Sequence, residues 1–150
     1  MSKEVAVPIL SLRPDKIRSL PQYMSTGAAG LDLPACLDDP VTLVPGTATL
    51  VGTGYALAVP PGYEAQIRPR SGLALRHQIG ILNSPGTIDS DYRGEIRVIL
   101  FNFGQQPYTI QDGDRIAQLV LCPVPRIRLV PVERLDETDR GGGGYGHTGR

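Results

Sequence analysis

The sequence predicts an all-β domain, and three observations support this fold class. The 150 residues fit one domain of ordinary size. Glycine and proline are abundant, with 18 and 14 residues, which favours tight turns between short strands. Apolar and polar residues alternate with a period of two in several segments, as in half-buried strands. We therefore expect a single domain over 1–150, with a β core over about 1–132 and a C-terminal arm over 133–150.

Six segments separated by turn residues are predicted to be strands, and one segment is predicted to be helical. The clearest strand is 63–68, where Tyr63, Ala65 and Ile67 fall on one face and polar residues on the other. The other predicted strands cover residues 5–12, 47–59, 95–103, 115–121 and 127–132. The helix is expected over 71–78, where Ser71 can cap its start and a proline and a glycine bound it.

The charge balance excludes several classes of partner. Lys plus Arg and Asp plus Glu are both 15, so the formal net charge is zero and the chain lacks the positive field of a general nucleic-acid or membrane-surface binder. No apolar run approaches the roughly 18 residues of a membrane span. The start, of mixed charge, does not match a signal peptide. We therefore expect a cytoplasmic protein that binds neither a nucleic-acid polymer nor a membrane.

Polar clusters interrupt the apolar pattern, and the first two lie at Asp32 and at 70–72. Asp32 stands between two leucines, so it either faces solvent on an exposed strand or is paired. Arg70, Ser71 and Gly72 place a cation, a hydroxyl and a flexible amide at the start of the predicted helix. This arrangement suits an anion, although a plain helix cap would use the same residues.

The third cluster spans 81–97 and consists of two extended arms around a Pro-Gly turn at Gly86. The arms can offer backbone donors and acceptors to the edge of a flat base, and Asn83 adds an amide, but the turn can equally be only a turn. Asp89 and Asp91 place two carboxylates beside Tyr92 in an otherwise apolar stretch. Such placement is costly unless the carboxylates are solvated or used.

The fourth and fifth clusters are a polar strand and a glycine-rich end. Arg115 and Gln118 lie in a core-like strand. Residues 140–150 hold six glycines in eleven residues, so the arm should be mobile. It is either a frayed terminus or a segment in which Arg140 and Tyr145 meet a phosphate and a base. Neither lysine lies in a phosphate-loop motif, and neither histidine has a partner at zinc spacing.

The five clusters, in this order and spacing, resemble the five motifs of the trimeric dUTPase family. The strongest matches are Pro-Arg-Ser-Gly-Leu-Ala at 69–74, Ile-Asp-Ser-Asp-Tyr-Arg-Gly at 88–94 and Arg-Gly-Gly-Gly-Gly-Tyr-Gly at 140–146. The resemblance implies a jelly-roll-like distorted β-barrel and a homotrimer in which three chains, including the arm, build each active site. It also implies hydrolysis of dUTP to dUMP and pyrophosphate, which keeps uracil out of DNA and supplies dUMP for thymidylate synthesis.

The resemblance further implies a role for each matching residue. Asp89 would activate the attacking water, and Asp32 would hold Mg²⁺ through water. Uracil recognition would fall to Asn83, Gly86, Thr87, Ile88 and Arg97. Tyr92 would pack under the deoxyribose. Phosphate contacts would come from Arg70, Ser71, Gly72, Gln118, Arg140, Gly146 and Thr148, and Tyr145 would cover the base.

The sequence departs from the family pattern at two positions of the arm. Tyr145 stands where the family most often has Phe, and His147 replaces a common serine. Arg115 fits its motif either as a structural ion pair or as a substrate contact. Two other functions stay open at this point: a dCTP deaminase-like enzyme of the same fold, and a regulatory protein switched by a nucleotide.

Overall fold

The described part of the chain forms short antiparallel strands and one helix of about two turns. The structure is a computed structural model, and it describes residues 4–16 and 19–146. The elements in this part of the chain are β1 (Ile9–Ser11), β2 (Gln22–Tyr23), β3 (Leu31–Pro34), β4 (Val41–Leu43), β5 (Ala48–Leu57), β6 (Tyr63–Arg68), α1 (Ser71–His77), β7 (Ile79–Ile81), β8 (Gly86–Ile88), β9 (Glu95–Asn102), β10 (Tyr108–Ile110) and β11 (Arg115–Pro123).

The described strands form three antiparallel sheets, and these sheets do not close into one barrel. One large sheet has the order β1-β5-β9-β7, the other has the order β2-β3-β11-β6-β8, and β4 pairs with β10. Inward-facing side chains of both large sheets pack into one apolar core, which includes Val51, Tyr55, Val98, Leu33, Ile67 and Ala117. The predicted all-β fold class is confirmed, with open sheets where a distorted barrel was expected.

Alternation predicted the strand at 63–68 correctly, because Ala65 and Ile67 are buried while Arg68 is exposed. The strands predicted over 47–59, 95–103 and 115–121 are present with shifted ends, and only Ile9–Ser11 of the predicted first strand pairs. The helix is present, but Ser71 is its first residue and not its cap. Arg70 occupies the cap position, with extended backbone and no side-chain hydrogen bond to the helix.

The strand predicted over 127–132 is wrong for the single chain. Strand β11 ends at Pro123, and residues 124–146 contain no strand or helix. Ile127 and Leu129 are each 83% exposed, and no strand in the described part of the chain pairs with this segment. Alternation alone does not make a strand, since a strand also needs a hydrogen-bonding neighbour.

The fully buried Asn102 at the end of β9 shows how the core tolerates a polar side chain. Its amide nitrogen donates to the carbonyl oxygens of Leu43 and Gln106 at 2.9 and 2.8 Å, and its amide oxygen accepts from the Gly104 nitrogen at 2.9 Å. Every buried polar group of the side chain thus has a partner. The bonds join β4, β9 and the turn before β10.

In the described residues, no helix is both long enough and apolar enough to span a membrane.

Candidate functional site

The carboxylate of Asp32 is the centre of a buried polar cluster between β3 and β11. Asp32 is 5% exposed and lies directly opposite Gln118 in the antiparallel register. Gln118 Nε2 donates to Asp32 Oδ1 at 3.0 Å, and Arg115 Nη1 donates to Asp32 Oδ2 at 3.1 Å. Of the two possibilities that the sequence leaves open for Asp32, solvent exposure is wrong and pairing is correct.

Arg70 connects this cluster to the start of the helix. Its Nη2 lies 3.3 Å from Asp32 Oδ2, and its Nη1 donates to the carbonyl oxygen of Arg115 at 3.0 Å. Ser71 and Gly72 follow in the first turn, whose backbone N–H groups have no partners within the helix. No acidic side chain occupies that turn. Two guanidinium groups, a carboxamide and a helix start therefore converge at one end of the central strands β3, β11 and β6.

The fit of this cluster to Mg²⁺ depends on the free lone pairs of Asp32. Among the described residues, no group of three or more His, Cys, Asp or Glu side chains could hold a metal ion. The Asp32 carboxylate has about four acceptor positions, and its three neighbours occupy three of them. The remaining position fits a water molecule of a hydrated Mg²⁺, an ion that keeps several waters when it is bound with phosphates.

A second group of predicted residues lines a pocket beside the hairpin-like turn between β7 and β8, and we call it the hairpin pocket. The two strands do not pair with each other: β7 pairs with β9, whereas β8 lies against β6, with Ile67 opposite Gly86 and Gln66 opposite Thr87. A Cβ on Gly86 would lie 3.3 Å from Ile67 Cβ and 3.6 Å from Asn83 Nδ2, so only glycine leaves this approach relaxed. The pocket has a volume of about 220 Å³ and is lined by Thr87, Ile88, Asp89, Tyr92, Glu95 and Arg97.

Asp89 and Asp91 are both exposed at the rim of the hairpin. Asp89 also borders a cavity of about 300 Å³ on the other side, which Asp91, Glu64 and Arg126 help to line. Neither aspartate forms an ion pair with a described residue. Both carboxylates are therefore solvated, so their position in an otherwise apolar stretch of sequence carries no cost of desolvation.

One residue of the pocket, Glu95, is absent from the sequence predictions. Its carboxylate accepts from Arg97 Nε at 2.9 Å, and its carbonyl oxygen accepts from the Tyr92 hydroxyl at 2.9 Å. A sequence signal did exist. Gly52 and Gly54 interrupt an apolar strand, and such glycines often mark a close approach by another group. The approaching group, the Glu95 carboxylate, can be identified only when the pairing of β5 with β9 is known.

The two groups of residues lie far apart within one chain. Gln118 pairs with Arg68 on β6, whereas Ile88 pairs with Ala65, so Asp89 lies beyond the other end of that strand pair. Four residues of rise and two strand spacings separate Asp89 from Gln118, a distance of about 17 Å along the sheet. A single chain therefore does not bring the Asp32 cluster and Asp89 to the same phosphorus atom.

The arm lies apart from both groups. Arg140 Nε donates to the carbonyl oxygen of Gly143 at 2.8 Å within a local turn, and Tyr145 is fully exposed. Tyr145 and Gly146 have φ angles of 50° and 89°, which are left-handed conformations. Thr148, a predicted phosphate contact, lies outside the described residues, as does His147.

A comparison of two aspartates tests the importance of burial in the Asp32 cluster. Asp38 also faces two cations, Arg13 and Lys16, but its side chain is 70% exposed. The hydrogen bonds from Arg13 and Lys16 lower the pKa of Asp38 to about 2. We expect Asp32→Ala to lower the free energy of unfolding by about 1.5–3 kcal/mol, because it removes a buried carboxylate that accepts hydrogen bonds from charged groups, while water solvates the partly exposed guanidinium groups that remain.

The matched control is Asp38→Ala, for which we expect little change because solvent screens its ion pairs. Urea unfolding at one fixed protein concentration measures both variants. Equal losses of stability in the two variants would contradict the assignment of Asp32 as a buried electrostatic centre.

Comparison with known proteins gives one consistent result. The family model described as dUTPase matches residues 17–149. The chain is 63% identical over 131 residues to a deoxyuridine 5'-triphosphate nucleotidohydrolase of Anaeromyxobacter sp., covering 87% of this chain and 88% of the relative. It is 54% identical over 149 residues to the enzyme of the same name in Desulfotalea psychrophila, with 99% of each chain covered.

Solved structures of similar fold include phage proteins of low sequence identity. A Staphylococcus bacteriophage 80alpha dUTPase variant with dUpNHpp superposes with a TM-score of 0.85 at 23% identity, covering 97% of this chain and 99% of the phage chain. A dUTPase variant of phage phi11, described with a structural Mg(II) ion, has a TM-score of 0.78 at 22% identity, covering 89% of this chain and 100% of the phage chain. These similarities support the fold, and the matches at high identity show that this chain belongs to the dUTPase family.

Proposed function

We propose that the protein hydrolyses dUTP to dUMP and pyrophosphate. The observation that carries the proposal is the hairpin pocket, where Asp89 is exposed at the rim of a cavity lined by Thr87, Ile88, Tyr92 and Arg97. Membership of the dUTPase family supports the same conclusion. In this proposal, removal of dUTP keeps uracil out of DNA, the dUMP formed is available for thymidylate synthesis, and the enzyme acts in the cytoplasm.

The hairpin pocket would bind the deoxynucleoside. Backbone groups of Gly86, Thr87 and Ile88, together with the amide of Asn83 and the guanidinium of Arg97, would recognise the edges of uracil. The Tyr92 ring, anchored through its hydroxyl, would pack under the deoxyribose and leave no room for a 2′-hydroxyl. A fixed aromatic ring suits this role because exclusion depends on a wall that does not move aside.

The Asp32 cluster would bind the triphosphate. Arg70, Ser71, Gly72 and Gln118 would donate hydrogen bonds to phosphate oxygens, because guanidinium groups and free helix N–H groups suit anions. Asp32 would contact a hydrated Mg²⁺ through its remaining acceptor position. The ion would neutralise charge on the triphosphate when bound. Arm residues would complete the site, with Arg140, Gly146 and Thr148 at phosphates and Tyr145 over the base.

Asp89 would act as the general base. Its carboxylate is exposed and free of ion pairs with the described residues, so it can accept a proton from a water molecule in line with the α-phosphorus. The leaving group is pyrophosphate, whose charge the cationic cluster would stabilise. Closure of the glycine-rich arm would exclude bulk water, because glycine allows the required backbone changes at little steric cost.

We further propose that the active site is shared among three chains of a homotrimer. The separation of about 17 Å between Asp89 and Gln118 supports this arrangement, since one chain does not bring both groups to the same phosphorus atom. The outward face of the β1-β5-β9-β7 sheet supports it as well, because it exposes apolar side chains that a monomer would leave in water. These include Leu10 at 61%, Leu50 at 55% and Phe103 at 59% exposure.

A turnover assay with dUTP, dTTP, dCTP and UTP in the presence of Mg²⁺ tests the proposed reaction. We expect dUTP to be hydrolysed with pyrophosphate as product and the other three to react far more slowly. Similar rates for all four nucleotides would contradict the proposed specificity. Release of ammonia from dCTP would instead support the deaminase-like alternative.

Substitution of Asp89 tests the proposed general base. We expect Asp89→Asn to lower kcat by about 10²- to 10⁴-fold while dUTP binding stays largely intact, since asparagine has similar size but no basicity. Asp91→Asn is the matched control, because Asp91 is an exposed carboxylate of the same loop outside the 220 Å³ pocket. A normal rate for Asp89→Asn with a slow Asp91→Asn would assign the base to Asp91.

Mixed trimers test whether different chains supply Asp89 and the arm. Subunits of Asp89→Asn and of a variant lacking 140–150 are exchanged by mild unfolding and refolding. Both variants alone should be inactive, and an equal mixture should recover about one quarter of wild-type activity, because most trimers are mixed and hold one intact site each. Mixtures that exchange subunits yet stay inactive would refute the shared site and leave the proposed reaction intact.

A further inference from the structure

We infer that Glu95 is a positioning residue that holds Arg97 and Tyr92 in place in the wall of the hairpin pocket. The inference rests on the proposed function, because it concerns the same pocket. Glu95 is the first residue of β9, and its side chain is 22% exposed. It lies between the pocket of about 220 Å³ and a second cavity of about 290 Å³ on the outward side of the sheet.

Both oxygens of the Glu95 carboxylate have specific partners. Oε1 accepts from the backbone nitrogen of Gly54 at 2.9 Å, and Oε2 accepts from Arg97 Nε at 2.9 Å. The first bond fixes the carboxylate to the neighbouring strand β5. The second fixes the guanidinium to the carboxylate. Arg97 is 56% exposed, so without this bond its long side chain would be free to leave the pocket wall.

The strand β5 is shaped to receive this carboxylate. The pairing of β5 with β9 shifts register between Gly52 and Ala56, which is the irregularity that aims the Gly54 nitrogen at Glu95. Gly54 has a φ of 73°, a left-handed conformation that other residues rarely adopt. A Cβ on Gly52 would lie 2.5 Å from Glu95 Oε1, and its three nearest neighbours would all be atoms of the Glu95 carboxyl group.

The backbone of Glu95 anchors the other wall of the pocket. The Tyr92 hydroxyl donates to the Glu95 carbonyl oxygen at 2.9 Å. The ring crosses over Gly94, where a Cβ would lie 2.4 Å from the hydroxyl oxygen. One residue therefore holds the proposed sugar-facing ring through its main chain and the proposed uracil-facing cation through its side chain. A shift of Glu95 would move both.

Gly52→Ala provides a test from outside the hairpin pocket, because Gly52 does not line it and the added methyl group would meet Glu95 first. The three atoms nearest to the added methyl group all belong to the flexible end of the Glu95 side chain, so the fold can accept it by displacing the carboxylate. We expect KM for dUTP to rise about 10-fold with kcat within about threefold of wild type, as for the loss of one hydrogen bond to a charged group. Glu95→Gln, which keeps the size but removes the charge, should raise KM by a similar factor.

The decisive measurement is a double-mutant cycle between positions 52 and 95. In a Glu95→Ala background, Gly52→Ala should have no further effect on KM, because the group that it displaces is gone. Gly27→Ala is the matched control, since Gly27 is exposed and a Cβ there would meet nothing within 4 Å. Melting temperature and mass in solution are measured for each variant, so that loss of fold or assembly is seen directly.

Two results would overturn the inference alone. One is an equal effect of Gly52→Ala in both backgrounds, and the other is an unchanged KM in Glu95→Gln, each in a wild-type enzyme that hydrolyses dUTP. A wild-type chain that does not hydrolyse dUTP would refute the proposed function, and the inference with it. The two failures are therefore distinguishable in one set of assays.

Discussion

The pairing of β11 with both β3 and β6 determines where the polar groups of the candidate site lie. On one side it sets Gln118 opposite Asp32, and on the other it sets Gln118 opposite Arg68. The first register buries a carboxylate where an amide and two guanidinium groups can reach it. The second register, continued through β6 to β8, places Asp89 at the far end of the sheet. A slip of one residue would turn all of these side chains to the opposite face.

Electrostatics in this protein is local: the formal net charge is zero, and the charged groups of the Asp32 cluster act through specific contacts. The Asp32 cluster concentrates two arginines around one buried carboxylate, whereas Asp89 and Asp91 are exposed and form no ion pair with a described residue. The paired carboxylate and the unpaired ones therefore lie at different ends of the same sheet. This separation suits a substrate that is strongly anionic at one end and must meet a free carboxylate at one specific atom.

Local chemistry made part of this structure predictable. Alternation and turn residues predict strands such as 63–68, because a half-buried strand needs a period of two. The order of the motifs was enough to place Asp89, Tyr92 and Arg70 among the candidate residues. The partners of Asp32 and Glu95 were not predictable, because they depend on strand registers that bring together residues distant in sequence. The segment 127–132 has the alternation of a strand, yet no neighbour in its own chain pairs with it. The roles expected for the arm residues rest on the composition of the arm and on the family resemblance, because in the described residues the arm forms no hydrogen bond with either group of site residues.

The exposed apolar segment after β11 has a consequence for folding in a crowded solution. An extended stretch with Ile127, Leu129 and Val130 in water is the kind of segment that pairs with strand edges of unrelated chains and starts aggregation. Charged and cyclic side chains break this stretch at short intervals: Pro125, Arg126, Arg128 and Pro131. Proline cannot donate to a ladder, and arginine is costly to bury between sheets. Such residues are of the gatekeeper type, which limits pairing with other chains while an apolar segment is exposed.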